Sequence, residues 1–338
     1  MWKIQYDQNE GTFKKIIVPD DPLKDGWIRL KPKYYSVCGS DKSIVNKHRK
    51  LDNPVVIGHE ISGKIIAGKG YDMTGERLSV GDIITILPNY YCGNCIDCRH
   101  GNYNTCRNKT IVGVLADGGL SEYMDLDPKF ALKLPLNMPE ELGAIIEPSA
   151  VGIHALNSFN TKNRTLIIIG GGGTGALAAM SAKYLGFKDI KIIEVYELKI
   201  HQLENLGFKV FKDIESAIGS NTGALNVLDT VGDDHSVKTY ETAMELTASG
   251  SEIVITGLGS NEFKFSTNLL IRREIKIRGS IIYLPSDFIL ARDIINDNQK
   301  EFYKFITNII DLQSLKDLNE LNDIILDNNY IKNLVKIY

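Results

Sequence analysis

Two textures of apolar patterning divide the chain. Up to about residue 135 the apolar runs are short and rich in Val, Ile and Thr, as in VVIGHEISGKIIA and GDIITILPN, with Gly-Asp or Pro-Asn between them. Runs of this kind, punctuated by Gly and Pro, predict the strands of an irregular all-β domain. From about residue 150 the texture changes. TLIIIGGGGTGALAAMSAKYLG predicts a buried strand, a tight glycine turn and an Ala-rich helix. DIKIIEV predicts a second buried strand, and LKIHQLENLG a helix that stops at Gly207. LNVLDTVG, SEIVITGLG and IKIRGSIIY predict further short strands, with KTYETAMELTAS a helix between two of them. Such alternation means βαβ units and a parallel sheet. The tail, about 286–338, reads mostly as amphipathic helix and ends in a strand-like NLVKIY.

A length of 338 residues agrees with about two domains. The formal net charge of -3 gives no electrostatic reason to expect nucleic acid or an anionic membrane as partner. No apolar run approaches the roughly 20 residues needed to span a bilayer. The segment MWKIQYDQNEGTFKKI lacks the apolar core of a signal peptide, so a cytoplasmic address is expected. In a reducing compartment the five cysteines, at 38, 92, 95, 98 and 106, are expected as ligands or catalytic groups rather than disulfides.

Gly170-x-Gly172-x-x-Gly175 follows the apolar run Leu166–Ile169 and opens the Ala-rich helix. That context makes it a dinucleotide-binding turn. Gly170 permits the turn, Gly172 lets backbone approach a pyrophosphate, and Gly175 lets helix and strand pack closely. The amides of Gly173 and Thr174 then face the phosphates. Glu194, at the end of the second strand, is placed to accept hydrogen bonds from the adenosine ribose hydroxyls and to repel a 2′-phosphate, which favours NAD over NADP. Lys199, nearby, works against that preference.

Cys92-x2-Cys95-x2-Cys98-x7-Cys106 lies in a polar loop, CGNCIDCRHGNYNTC. Four thiolates at short spacing suit a closed tetrahedral zinc site of structural type. Related spacings also bind iron–sulfur clusters. Cys38, in CGSD, stands apart. With His59 and Glu60 of GHE and Glu147 of EPSAV it makes a mixed donor set that leaves room for a water or substrate oxygen. The separations are too long for spacing to join these residues, and a buried core cysteine is the alternative.

CGSD, GHE, the cysteine quartet, DGGLSEY, EPSAVGIHAL and GGGGTG occur in this order along nearly the whole chain. In this the sequence resembles the zinc-dependent medium-chain dehydrogenase/reductase family, and most closely its polyol and sugar branch. The resemblance implies an α/β protein with a GroES-like all-β catalytic domain over 1–150, a Rossmann domain over 151–285, and a return segment over 286–338 that completes the first. It implies two zinc ions per chain, one structural and one catalytic in the cleft between the domains. Cys38 and His59 become catalytic zinc ligands, Glu60 a ligand or an exchangeable one, and Glu147 the extra acid near the metal. Ser40 matches the family's proton-passing hydroxyl. The relay histidine of many relatives is Ser43 here; His48 lies near in sequence, and water or the cofactor ribose offers another proton route. Some sugar-phosphate branches also lack that histidine.

The implied activity is hydride transfer between a secondary alcohol (a polyol, sugar or sugar phosphate) and NAD, with a butanediol- or threonine-type dehydrogenase as the alternative. A zinc-free reductase of double bonds and a non-enzymatic NAD-binding relative fit the ligand residues less well. Ile282, where sorbitol dehydrogenases often carry an arginine before the residue matching Tyr283, argues against sorbitol itself. Lys47-His48-Arg49-Lys50 is a basic run that reads either as a solvated loop or as a hold for a substrate phosphate. By the same resemblance the chain is expected to form a homodimer or homotetramer.

Overall fold

The computed structural model describes residues 1–221, 223–232, 236–259, 262 and 264–338. The chain forms two compact units, one of Met1–Glu147, Leu284–Asp327 and Lys332–Tyr338, the other of Pro148–Tyr283 and Asn328–Ile331. No helix among the described residues is long and apolar enough to cross a membrane.

The first unit is built on a seven-stranded sheet. Its path runs Ala131–Lys133, Ile83–Ile86, Glu60–Gly68, Ile28–Ser36, Lys332–Lys336 and Ile306–Asp311, and Met124–Leu126 pairs with Ile28–Ser36 off this path. Ile28–Ser36 alternates buried and half-buried side chains for most of its length, the period expected of a strand with one face on the core. Pro32 sits at a shift of register in this strand, where a missing N–H is tolerated. Ile28, Leu30, Tyr35, Ile61, Ile65, Ile84 and Ile86 make the centre of the core. The pairs Ser36↔Glu60 and Ser36↔Leu334 bring three remote segments to one end of the sheet, beside Cys38.

The tail departs from the helical expectation. After the helices Pro285–Asp297 and Gln299–Tyr303 comes a strand, Ile306–Asp311, parallel to Lys332–Lys336. Its side chains are mostly half-buried, as suits the outermost strand of the sheet, so polar residues interrupt the apolar alternation that would announce it. A short helix, Gly39–Val45, also breaks the all-β texture of the first part.

The second unit is a six-stranded parallel sheet. In space its order is Lys209–Phe211, Ile190–Ile193, Leu166–Ile169, Asn226–Asp229, Glu252–Ile255, Lys276–Gly279, that is, third, second, first, fourth, fifth, sixth along the chain. This is the dinucleotide-binding order, with its switch point at Leu166–Ile169. Leu166–Ile169 is buried throughout, consistent with a central parallel strand covered on both faces.

Candidate active site

Cys38 caps the helix Gly39–Val45, and Asp41, three residues on, accepts a hydrogen bond from the Cys38 N–H at 2.9 Å. The same Asp41 oxygen accepts from Tyr35 Oη at 2.6 Å, and the carboxylate is fully buried. His59 is positioned from the other side by glycines. Gly58 has φ +104, and a Cβ on Gly118 would stand 2.3 Å from the Gly58 carbonyl oxygen. Only glycine allows this approach of the DGGLSEY loop to the residue before His59. His59 Nε2 lies 3.4 Å from Ser40 Oγ, while Nδ1 lies 3.8 Å from Asp41 Oδ1. A carboxylate facing the far nitrogen of a ligating imidazole orients the ring and keeps its other nitrogen for a metal.

Cys38, His59 and Glu60 each offer a donor atom, and these atoms lie within 4.8 Å of one another. A tetrahedral ion with bonds of about 2.0–2.3 Å sets its ligands roughly 3.3–3.8 Å apart, so this trio fits a zinc ion with little adjustment. Glu147 is buried and acts on His59 electrostatically but does not belong to the trio. Burial and the Glu60 carboxylate push the Cys38 thiol up. Burial pulls the His59 imidazole down, but Cys38 and Asp41 outweigh it and hold its pKa well above the usual range. Metal binding must therefore displace protons, and loading should weaken in acid.

Glu60 is not free to swing. Lys332 Nζ donates to Glu60 Oε2 at 2.5 Å and to the Val37 carbonyl oxygen at 2.9 Å, with both charged side chains buried. The ammonium neutralises the acid next to the metal position. Asp41 and Lys332 are the residues that the sequence reading passed over. Asp41 had a local signal, an acid at the third position of a helix begun by Cys38; Lys332 had none. Ser43 lies on the same helix, half-buried, with its carbonyl oxygen accepting from Arg49 N–H, and His48 is exposed on the loop that follows.

The quartet forms the second cluster. Cys106 Sγ lies 3.6 Å from Cys92 Sγ and 3.8 Å from Cys95 Sγ, and none of the five cysteines is in a disulfide. The edge of a zinc tetrathiolate with 2.3 Å bonds is about 3.8 Å. An iron–sulfur cluster would hold its thiolates further apart, around several irons and sulfides, so a single ion is the better fit. Backbone N–H groups of Asn94 and Cys95 pull Cys92 down to about 6, whereas burial pushes Cys98 up to about 12.

In the second unit Gly170 has φ +97, and Gly172 caps the helix Gly173–Tyr184. A Cβ on Gly175 would lie 1.9 Å from the Gly170 carbonyl oxygen; one on Gly172 would meet nothing within 4 Å among the described residues. Gly175 is thus required by packing, and Gly172 leaves open space where a pyrophosphate could approach. Gly173 and Thr174 begin the helix, so their N–H groups lack helical acceptors. Glu194 follows directly after Ile190–Ile193 and turns back over the turn. Its Oε2 accepts from Gly171 N–H at 3.1 Å, and its Oε1 from Val195 and Tyr196 N–H at 2.7 and 3.0 Å. Oε2 keeps a lone pair for a ribose hydroxyl. Lys199 is buried against Tyr196, its ammonium 5.0 Å from the ring centroid.

Residues 24–136 match the model of the alcohol dehydrogenase GroES-like domain, and residues 173–297 that of the zinc-binding dehydrogenases. The chain is 30% identical over 277 residues to galactitol 1-phosphate 5-dehydrogenase of Escherichia coli strain K12, covering 78% of each chain. It is 27% identical over 274 residues to L-threonine 3-dehydrogenase of Serratia proteamaculans, covering 78% of this chain and 79% of that one. The crystal structure of galactitol-1-phosphate dehydrogenase from Escherichia coli superimposes with a TM-score of 0.87 at 25% identity, over 99% of this chain and 100% of that one.

Proposed function

This chain belongs to the zinc-dependent medium-chain dehydrogenase/reductase family, and we propose that it oxidises a secondary alcohol of a polyol or sugar, free or phosphorylated, with NAD as hydride acceptor. The observation that carries this reading is the pairing of two unlike donor sets, a closed set of four thiols and an open one of Cys38, His59 and Glu60. The first is suited to holding a loop in shape, the second to leaving a coordination position for substrate.

When bound, zinc supplies Lewis acidity toward the alcohol oxygen, and the dinucleotide accepts the hydride. The chain's own residues do the rest. Cys38 and His59 would hold the ion, with Asp41 fixing the ring of His59. Lys332 holds one oxygen of Glu60, which limits the negative charge around the ion and preserves its acidity. Glu147 stays outside the trio, so Glu60 and Glu147 need not both bind. Ser40, whose hydroxyl lies beside His59 Nε2, would receive the proton of the substrate hydroxyl. Ser43 cannot act as a titrating relay, so the proton passes to water or a ribose hydroxyl. Glu194, committed to the glycine turn, supports NAD over NADP.

The test is zinc analysis of the purified protein together with NADH formation on a panel of pentitols, hexitols, their 1-phosphates, butanediol and threonine. About two zinc per chain and turnover of at least one polyol or polyol phosphate are expected. Zinc-replete protein that reduces NAD with no secondary alcohol on the panel would refute the proposal.

A further inference from the structure

Tyr34 and Tyr35 are neighbours on the strand Ile28–Ser36, so their side chains leave it on opposite faces. Both hydroxyls meet a carboxylate. Tyr34 Oη donates to Glu141 Oε1 at 2.8 Å, on the short helix Glu140–Gly143. Tyr35 Oη donates to Asp41 Oδ2 at 2.6 Å. The sheet holds Tyr35 from both sides, since it lies opposite Ile61 on one neighbouring strand and Val335 on the other. The residue is fully buried, and its ring packs against the turn before His59: a Cβ on Gly58 would stand 3.3 Å from Tyr35 Cδ2. One side chain thus touches both the acid that faces His59 and the residue that precedes it.

Asp41 Oδ2 also accepts from the Cys38 N–H, so the Tyr35 hydroxyl is its second donor. Two donors on one oxygen fix the rotation of the carboxylate and leave Oδ1 turned away from them. Oδ1 lies 3.8 Å from His59 Nδ1, and neither atom has a hydrogen-bond partner among the described residues. Buried polar atoms are normally paired, so two that face each other unpaired await a change of state. Their separation exceeds the roughly 2.7–3.2 Å of an N–H···O bond by about half an ångström. With Nε2 given to a metal, the proton stays on Nδ1, and Oδ1 is the acceptor that faces it. Without the tyrosine hydroxyl, either oxygen could take the Cys38 N–H, and the carboxylate could turn away from the imidazole. We propose that Tyr35 is a positioning residue of the metal site: its hydroxyl pins Asp41 so that Oδ1 is held ready for the Nδ1 proton of a zinc-ligating His59. This rests on the reading of Cys38, His59 and Glu60 as a zinc-binding set.

The test counts the zinc kept by protein dialysed against a graded chelator, in wild type, Tyr35→Phe, Tyr34→Phe, Asp41→Asn and Asp41→Asn/Tyr35→Phe. Cys38→Ser identifies which ion belongs to the Cys38 site. Tyr35→Phe keeps the ring and its packing on Gly58. It should weaken zinc at the Cys38 site by about tenfold and leave the quartet unchanged. Asp41→Asn should weaken the same site by about 10–100-fold, and adding Tyr35→Phe should weaken it no further. Tyr34→Phe removes a hydroxyl–carboxylate bond of the same kind one residue away. It should lower Tm by a few degrees, as Tyr35→Phe does, with zinc held at both sites as in wild type. Cobalt exchanged into the Cys38 site gives a second readout: its visible absorption should change in Tyr35→Phe and not in Tyr34→Phe. Wild-type zinc affinity in Tyr35→Phe overturns the proposal. So does equal weakening by the two tyrosine variants, which would mean a general loss of stability. A further loss in the double variant would mean that Tyr35 does not act through Asp41, and also overturns it. Wild type that holds zinc on the quartet alone removes the reading of the Cys38 site, and the proposal with it. In every other failure wild type keeps both ions, so the two cases separate.

Discussion

Lys332→Met tests how the acid beside the metal position is held. The substitution keeps the length and apolar stem of the side chain and removes the ammonium 2.5 Å from Glu60 Oε2. At an effective dielectric of about 20, unit charges at this separation attract by roughly 7 kcal/mol, a gross value offset by desolvation of both groups. The side chains are 3% and 1% exposed, so water cannot replace the lost partner. Removing one member of such a pair typically costs about 3–5 kcal/mol. At about 2–4 °C per kcal/mol for a unit of this size, thermal unfolding should fall by roughly 6–20 °C. Glu60→Gln in the same background should recover most of the loss, because the uncompensated charge is gone. The assay is a double-mutant cycle by scanning calorimetry on zinc-loaded protein. A Tm within about 2 °C of wild type for Lys332→Met would show that Glu60 does not depend on Lys332. A double variant no more stable than the single one would show that Lys332 matters through packing or through Val37, and the charge argument would fail.

Two further predictions concern the second unit. Burial holds the Asp229 carboxyl up at about 6 against an ordinary 3.8, outweighing the hydrogen bonds it accepts from Thr239 and from Val231 N–H. The folded state then binds this proton more tightly than the unfolded state, so the site costs nothing below pH 4 and progressively more up to pH 6, reaching at most about 3 kcal/mol above that. Asp229→Asn should raise Tm at pH 7.5 and leave it nearly unchanged at pH 4; a pH-independent difference would contradict the assignment. Gly175→Ala places a Cβ against the Gly170 carbonyl oxygen and should lower both Tm and NAD affinity. Gly172→Ala meets open space and should lower NAD affinity with Tm almost unchanged, as read by fluorescence titration and thermal shift. Equal losses of Tm in the two variants would refute the division of roles.

The parts legible in sequence are those whose partners lie close along the chain. The quartet spans 92 to 106, and the glycine turn, its strand and its helix are contiguous, so spacing alone carries the chemistry. Lys209–Phe211 escaped notice because three residues are too short for a period to register, although it completes the sheet order. Ile306–Asp311 escaped because Thr307, Asn308 and Asp311 interrupt the apolar alternation on an outermost strand in which no side chain is fully buried. Asp41 was readable in CGSD as a helix-start acid, and its contact to His59 was not, since that depends on a glycine packing between residues 58 and 118. Within the basic run Lys47, His48 and Lys50 are exposed and Arg49 is half-buried, a difference that charge patterning does not report.

The pairing of Glu60 with Lys332 spans 272 residues. During synthesis at about 5–20 residues per second, the ribosome makes Cys38, His59 and Glu60 roughly 15–55 s before the lysine that neutralises Glu60. The strand Lys332–Lys336, which also fills the place between Ile28–Ser36 and Ile306–Asp311, arrives at the same late moment. All six strands of the second sheet have emerged by then. The nascent chain therefore has time to complete the sheet of its second unit while the sheet of the first, though begun earlier, still waits for its closing strand.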